Sequence, residues 1–230
     1  MLFRSAVDFL GADLTTASSF DEAVVRLNTP VAKLADALAL MADVALRPTF
    51  PANDLDRLKK ERLTALLQAR DNPAALIGLA FPRVLYGPTH RYGTSANGLP
   101  AAIEAFTVAD LQSFYRAHYR PDNATLLVVG DVTPASIVPI LEKAFGSWKP
   151  DGLAPLVAEI PIAPQLKSRQ VYIVDKPDAP QSQIRIGWIG VPRSTADYAA
   201  LEVLNTILGG SFSSRLNQNL REEQIGRAHV

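Results

Sequence analysis

Three charged residues near the end of the chain are the first candidates for a chemical role. Arg221, Glu222 and Glu223 end a polar segment that follows the pair Gly209-Gly210. A guanidinium group can donate several hydrogen bonds, so Arg221 could hold a peptide carbonyl or stabilise a developing negative charge. The same cluster is also typical of an exposed, solvated helix end. The charges alone do not decide between the two interpretations.

The three histidines do not form a metal-site pattern. His90 is expected in a loop, His118 near the end of a helix, and His229 among the last residues of the chain. Neither His90 nor His118 has a second histidine at a ligand spacing such as i+4. We therefore expect both to be ordinary surface or helix-end histidines.

The common motifs of hydrolases and nucleotide enzymes are absent from the sequence. There is no G-x-S-x-G, no P-loop and no G-x-G-x-x-G, which removes the sequence signals of serine hydrolases, NTPases and dinucleotide enzymes. The segment 209–211 lacks the later Gly-Lys of a phosphate loop, so we interpret it as a turn that ends a helix. Glu61, Arg62 and Gln68 lie in a predicted helix, where such residues usually form a solvated face.

Composition predicts a folded protein without affinity for polyanions. Hydrophobic residues make up 48% of the 230 positions and charged residues 20%, which is ordinary for a globular protein with a core. Lys and Arg total 23 and so do Asp and Glu, so no basic field favours nucleic acid or an anionic membrane. The absence of cysteine excludes disulfides, thiolate zinc ligands and a cysteine nucleophile. No stretch reaches the ~18 apolar residues that span a bilayer.

Apolar spacing predicts mostly helices, with a few short strands. Residues 14–18 and 23–27 are expected to pair as a hairpin, and the apolar run 124–129 is expected to be a buried strand. Alternation predicts two more strands at 170–175 and 183–188. Helices are predicted at 31–47, from after Asn53 to a turn at 71–73, from Pro73 to Tyr86, and at 195–208. Two more are predicted to begin at threonine caps: 108–118 after Thr107, and the segment from Thr133 to Phe145.

Both ends carry short segments that we interpret as sequencing-adapter tags, with natural termini as the alternative. Leu2-Phe3-Arg4-Ser5 can be encoded by CTCTTCCGATCT. The segment 225–228 can be encoded by ATCGGAAGAGC, which contains the reverse complement of most of that string. We set 1–5 and 225–230 aside from fold reasoning. The rest is divided into a partial first domain at 6–149, a proline-rich linker at 150–168 and the start of a second domain at 169–224.

Five segments, in the same order along the chain, resemble the insulinase and pitrilysin family of zinc peptidases. They are ALMADVALRPTFP at 39–51; Glu61-Arg62 ahead of RDNP at 70–73; LYGPTHRYG at 85–93; YRPDNA at 119–124 with VGDV at 129–132; and LGGSFSSRL at 208–216 with LREE at 220–223. The resemblance covers nearly everything from Ala6 to Gln224. On this basis the chain is identified as a member of that family.

The resemblance implies an α+β fold like that of the mitochondrial processing peptidases, with a mostly antiparallel sheet packed by helices. Members of the family resemble a clam whose two halves enclose a chamber where peptides are cut. One half holds zinc through the two histidines of H-x-x-E-H and a later glutamate. The opposite half can supply an Arg and Tyr pair that contacts the substrate.

Carried over residue by residue, the resemblance implies no catalytic residue and no metal ligand in this chain. The H-x-x-E-H would lie upstream of Ala6. The later glutamate ligand falls seven residues after Glu61, where this chain has Gln68, and a neutral amide is a poor zinc ligand. Arg221 falls at the substrate-contacting arginine, while Ile-Gly-Arg at 225–227 stands where its tyrosine partner is expected. Arg221 is therefore the one substrate-binding residue that the resemblance implies.

Together these features predict a fragment of the non-catalytic, substrate-holding half of a bacterial zinc endopeptidase. Zinc is expected on a partner half or subunit of the same family, the substrate is a peptide, and the resemblance favours the periplasm. One alternative is a catalytic half whose H-x-x-E-H lies upstream, and another is a structural core subunit that has lost proteolysis. Unpaired sheet edges and uncovered helix faces predict poor solubility for residues 6–224.

Overall fold

The computed structural model describes residues 3–150, 159–163, 165–179 and 181–225. Contacts between Cα atoms divide the chain into two units, residues 1–186 and 187–230. The predicted division at 150–168 stays a prediction, since residues 151–158 of that linker lie outside the described residues. The same holds for the predicted tags, because residues 1–2 and 226–230, His229 among them, are also outside.

A two-stranded antiparallel hairpin is formed by β1 (Asp13–Ser18) and β2 (Ala23–Asn28). Both strands contain the β-branched residues that favour extended backbone. The Ser19 hydroxyl closes the turn, since it accepts hydrogen bonds from the backbone amides of Asp21 and Glu22 at 3.1 and 3.2 Å. The hairpin predicted from the sequence is confirmed, with each strand one residue longer.

The other regular elements described in the first unit are helices. They are α1 (Phe3–Phe9), α2 (Leu34–Leu46), α3 (Ala52–Ala69), α4 (Pro73–Tyr86), α5 (Pro100–Ala105), α6 (Val108–His118) and α7 (Pro134–Phe145), with short 3-10 turns at Val31–Lys33, Arg91–Gly93 and Pro121–Asn123. The helices predicted in this unit are confirmed, but α3 begins before Asn53 rather than after it. Its N-cap is Pro51, which needs no hydrogen-bond partner for a backbone amide.

Side-chain caps determine where three of these helices begin. Thr107 accepts a hydrogen bond from the Asp110 amide at 3.2 Å, and Asp110 accepts one from the Thr107 amide at 2.8 Å. Thr133 and Ser136 form the same reciprocal pair at the start of α7, at 3.3 and 3.0 Å. The Asn72 side chain accepts hydrogen bonds from the backbone amides of Ala74 and Ala75 in the first turn of α4, at 2.9 and 3.3 Å. These bonds satisfy amides that have no partner within the helix.

A buried arginine follows α6. The Arg120 guanidinium is shielded from solvent and donates to both carboxylate oxygens of Asp122, with Nε–Oδ1 at 3.0 Å and Nη2–Oδ2 at 2.8 Å. These hydrogen bonds stabilise the charged carboxylate and hold the pKa of Asp122 below its ordinary value. The pair fixes the path of the chain where it leaves α6.

Acidification is expected to weaken the first unit through Asp122. A carboxyl group whose pKa is lowered by folding contributes stability above its unfolded pKa of about 3.9, and the contribution is lost as the pH falls through the folded value. The urea concentration at the unfolding midpoint should therefore decrease as the pH is lowered below about 4. Asp122→Asn should remove part of this pH dependence. Circular dichroism at a series of pH values measures both proteins. If the urea midpoints of the unmodified protein and of Asp122→Asn changed with pH in parallel, the role of Asp122 would be contradicted.

The strand predicted over 124–129 is wrong. This segment has no strand pairing, and the side chains of Leu127 and Val129 are 84% and 88% exposed. The strands predicted at 170–175 and 183–188 are wrong for the same reason, with Ile173 89% and Ile186 91% exposed. A strand needs a neighbour for its backbone hydrogen bonds. No described strand lies beside these segments, so the described sheet is limited to the hairpin.

Few apolar side chains are buried in the described part of the chain. The buried ones all lie on helices: Val7 on α1, Ala37, Leu38 and Ala42 on α2, Ile103 on α5 and Ile137 on α7. Helix α2 contacts both α7 and β2, and α3 contacts α5. The small side chains of Ala37 and Ala42 allow neighbouring elements to approach α2 closely.

The second unit contains α8 (Tyr198–Asn205), which continues as a π-helical turn at Thr206–Gly210. The short helix α9 (Arg215–Asn217) follows and continues as a π-helical segment at Gln218–Ile225. The predicted helix at 195–208 is confirmed from Tyr198 onward. None of the helices described here is long and apolar enough to cross a membrane.

Candidate functional site

Arg221 lies in the π-helical segment after α9, and its side chain is exposed. The central carbon of its guanidinium group is 5.6 Å from the centroid of the Phe212 ring, within the range of a cation–π contact. Within the described residues, no carboxylate lies at ion-pair distance from Arg221. Glu223 instead accepts a hydrogen bond from the Asn219 side chain at 3.0 Å. In the described part of the chain the Arg221 donors thus have no acidic partner and can serve a ligand.

A glycine turn precedes Arg221 and is held in place by Asn217. The Asn217 side-chain amide donates to the carbonyl oxygen of Ser211 at 2.6 Å and to that of Gly209 at 3.4 Å. A Cβ atom at Gly210 would lie 3.2 Å from the Asn205 carbonyl oxygen, so a side chain there would crowd the end of α8. Gly209 and Gly210 therefore end the helical segment, as the sequence predicted, and place Phe212 next to Arg221.

Gln68 lies in the last turn of α3, where its side chain is exposed. Glu61 is seven residues earlier and thus two turns away on the same side of the helix. Its carboxylate accepts a hydrogen bond from Arg57 at 2.8 Å, and Arg57 also lies 3.5 Å from Asp54. This face carries exposed ion pairs, as expected of a solvated helix. On another side of α3, Arg62 donates to the Asn97 side chain at 2.9 Å.

The described residues do not fit a zinc ion. Within the described part of the chain, no three His, Cys, Asp or Glu side chains lie close enough together to hold a metal. Gln68 offers only a neutral amide, and the nearest carboxylate on its face of α3, Glu61, is bound to Arg57. We assign no zinc chemistry to these residues.

His90 is buried, which corrects the expectation of a surface histidine. Its Nδ1 atom accepts a hydrogen bond from the Tyr92 amide at 3.1 Å, so the ring proton is on Nε2, which donates to the Pro161 carbonyl at 2.8 Å. The ring also stacks on Tyr86 at 5.1 Å. Both nitrogens are used, so His90 has a structural role. His118 ends α6 as predicted, with its ring 4.4 Å from that of Phe114.

The residues beside His90 join this loop to the hairpin. Arg91 donates from Nε to the Phe20 carbonyl at 2.8 Å, and the Tyr92 hydroxyl donates to Asp21 at 2.8 Å. The bond to Asp21 raises the pKa of the Tyr92 hydroxyl. Motif spacing could not reveal these contacts, because Asp21 and Tyr92 are 71 residues apart. Motif spacing could not reveal the cavity between α3 and α4 either, which is lined in part by Arg70 and Arg83.

Residues 105–228, slightly more than half of the chain, match a family model described as the peptidase M16 inactive domain. The chain belongs to this family. The matched region of the M16 inactive domain contains α6, α7, α8 and Arg221, whereas Gln68 lies before it. The family membership confirms the insulinase and pitrilysin resemblance.

Two relatives extend over nearly all of the chain. An uncharacterized zinc protease of Mycobacterium tuberculosis is 28% identical over 217 residues, which cover 94% of this chain and 49% of that protein. The crystal structure of a peptidase M16 inactive domain from Pseudomonas fluorescens is 29% identical with a TM-score of 0.79, covering 96% of this chain and 53% of that one. The chain spans about half the length of the curated relatives it matches.

A more distant structure supports the same fold. The periplasmic protease PqqL from Escherichia coli matches with a TM-score of 0.60 and 20% identity, covering 70% of this chain and 18% of that one. At this identity the likeness shows the fold alone. The predicted α+β class is confirmed, since the chain combines helices with an antiparallel hairpin and its structural neighbours are M16 proteins.

Proposed function

We propose that this chain is part of the non-catalytic, substrate-holding half of a bacterial M16 zinc endopeptidase. The observation that carries the proposal is Gln68, which stands where the resemblance places a glutamate zinc ligand. An amide adds no negative charge and coordinates zinc weakly through its oxygen. The proposed partner is a zinc-bearing half or subunit of the same family, which supplies the metal and the water that it activates.

Within this half, Arg221 is the residue proposed to bind the peptide. Its side chain is exposed and contacts the ring of Phe212, so the guanidinium group can donate to a carbonyl oxygen of the substrate. Donors aimed at the reacting carbonyl stabilise the negative charge that develops there during hydrolysis. The peptide would be cut in a chamber that closes between the two halves.

The proposed location is the periplasm. The fold likeness to the periplasmic protease PqqL supports it. A peptide-degrading chamber in that compartment would act on exported or imported peptides. Fractionation of cells that produce the full-length protein, followed by immunoblotting, tests this location directly.

The rival function is a catalytic half whose H-x-x-E-H lies upstream, and the zinc-protease names of the relatives favour it. Gln68→Glu in the full-length protein separates the two functions. In a non-catalytic half, the new carboxylate has no histidine ligands to complete, so zinc content and peptide hydrolysis stay unchanged. In a catalytic half, the restored ligand raises zinc affinity about tenfold or more.

The matched control for Gln68→Glu is Gln112→Glu. Gln112 is an exposed glutamine on α6. Its replacement by glutamate adds the same negative charge to a helix, but away from the proposed ligand position. A rise in zinc affinity for Gln68→Glu, with no rise for the control, would contradict the non-catalytic function.

A further inference from the structure

A cavity of about 250 Å³ lies between α3, α4 and the loop that leads into α5. Its walls are mainly aliphatic, and two arginines, Arg70 and Arg83, stand at its edge. The aliphatic walls are formed chiefly by Leu66, Leu76, Leu79 and Leu99. All of these residues belong to the first unit.

The two arginines of the cavity have no acidic partner in the described part of the chain. Arg70 directly follows α3, and Arg83 lies in the last turn of α4; both are exposed. The two arginines within α3 differ, because Arg57 and Arg62 both donate hydrogen bonds to neighbouring side chains. An apolar cavity beside two unpaired guanidinium groups complements a ligand with an apolar body and a negative charge.

The size of the cavity restricts that ligand. Sites for drug-sized molecules span roughly 300–1,000 Å³, so a cavity of about 250 Å³ accommodates one apolar side chain rather than a long acyl chain. The loop at its edge turns at Gly98. Gly98 has a φ of +80°, and a Cβ atom there would lie 3.3 Å from the Ile103 side chain.

We propose that this cavity binds the carboxyl-terminal residue of a peptide that ends in an apolar side chain. The side chain enters between α3 and α4, and the terminal carboxylate receives hydrogen bonds from Arg70 and Arg83. Arginine suits this role because its planar fork matches the two oxygens of a carboxylate. The inference rests on the proposed function in taking a peptide as the ligand, but it requires neither zinc nor Arg221.

Fluorescence polarisation with the full-length protein tests the proposal. The probe is a short labelled peptide that ends in Ala-Leu, prepared with a free terminal carboxylate and as the terminal amide. We expect the acid to bind about tenfold or more tightly than the amide. Arg70→Gln and Arg83→Gln should each weaken binding of the acid about tenfold and leave binding of the amide unchanged.

Arg57→Gln is the matched control, since it removes the same charge from another face of α3 and should leave binding of the acid unchanged. Circular dichroism verifies that each variant is folded. Equal binding of acid and amide, or an equal loss in Arg57→Gln, would overturn the proposal, as would binding of octanoate without binding of the peptide. Arg221→Ala should keep the preference for the acid, so failure of the proposed function is distinguishable from failure of this site.

Discussion

Replacing Arg221 by alanine is expected to lower kcat/KM for peptide hydrolysis about ten- to a hundredfold in the full-length protein paired with its zinc-bearing half. A hydrogen bond from a charged donor contributes about 1.5–3 kcal/mol, and each 1.4 kcal/mol corresponds to a factor of ten. The side chain is exposed, and its guanidinium group lies over the ring of Phe212. Its removal should therefore change substrate binding rather than folding.

Two further variants make the Arg221 result specific. Arg221→Lys keeps the charge but loses the planar fork, so it should restore part of the activity. Arg215→Ala removes another exposed arginine of the same unit and should leave hydrolysis unchanged. Size-exclusion chromatography verifies that the halves still assemble. Full activity of Arg221→Ala in an intact assembly would favour the structural-subunit alternative.

Gly93→Ala is expected to lower the free energy of unfolding of the first unit by roughly 1–3 kcal/mol. A Cβ atom at this position would lie 1.9 Å from the Gly87 carbonyl oxygen, which is backbone and cannot rotate away. Gly87 has a φ of +84°, a conformation that other residues rarely adopt, so its own position is restricted. The loop must therefore shift, and with it the hydrogen bonds of His90.

Urea unfolding followed by circular dichroism at low micromolar concentration measures this effect. Gly130→Ala is the control, because no atom lies within 4 Å of a Cβ built at Gly130. This control should leave the unfolding midpoint unchanged or raise it slightly, since alanine restricts the unfolded chain. An unchanged midpoint for Gly93→Ala would show that the loop at residues 87–93 has more room than the structure gives it.

The helices could be predicted because their signals are local. Thr107 and Thr133 begin α6 and α7 through reciprocal hydrogen bonds with residues three positions later, and such pairs are visible in the sequence. Helices α1 and α5, of seven and six residues, were too short for apolar periodicity to reveal. The signals that mark where a long helix begins and ends thus lie within a few residues of each other, although its stability still depends on packing.

The strands could be predicted only where the partner is adjacent in sequence. The turn at Ser19 brings β1 and β2 together within a few residues. The apolar pattern at 124–129 is as strong, but pattern alone does not supply a neighbouring strand, and Val129 is exposed. Periodicity thus predicts which residues suit a sheet, whereas pairing depends on distant parts of a fold.

Parts of the candidate site could be predicted from the sequence, and other parts depend on the folded structure. Gln68 and Arg221 were identified because their positions resemble functional positions of a peptidase family, and no spacing rule distinguishes them from other exposed residues. The buried role of His90 depends on Pro161, 71 residues away. The cavity between α3 and α4 likewise exists only once the helices have packed.

The central claim is that this chain belongs to a half that holds substrate without binding catalytic zinc. The most direct test is the zinc content of the full-length protein, purified without its partner and measured by inductively coupled plasma mass spectrometry together with a peptide-hydrolysis assay. We predict no stoichiometric zinc and no hydrolysis until the zinc-bearing half is added. One zinc ion per chain, with hydrolysis by the protein alone, would contradict the claim.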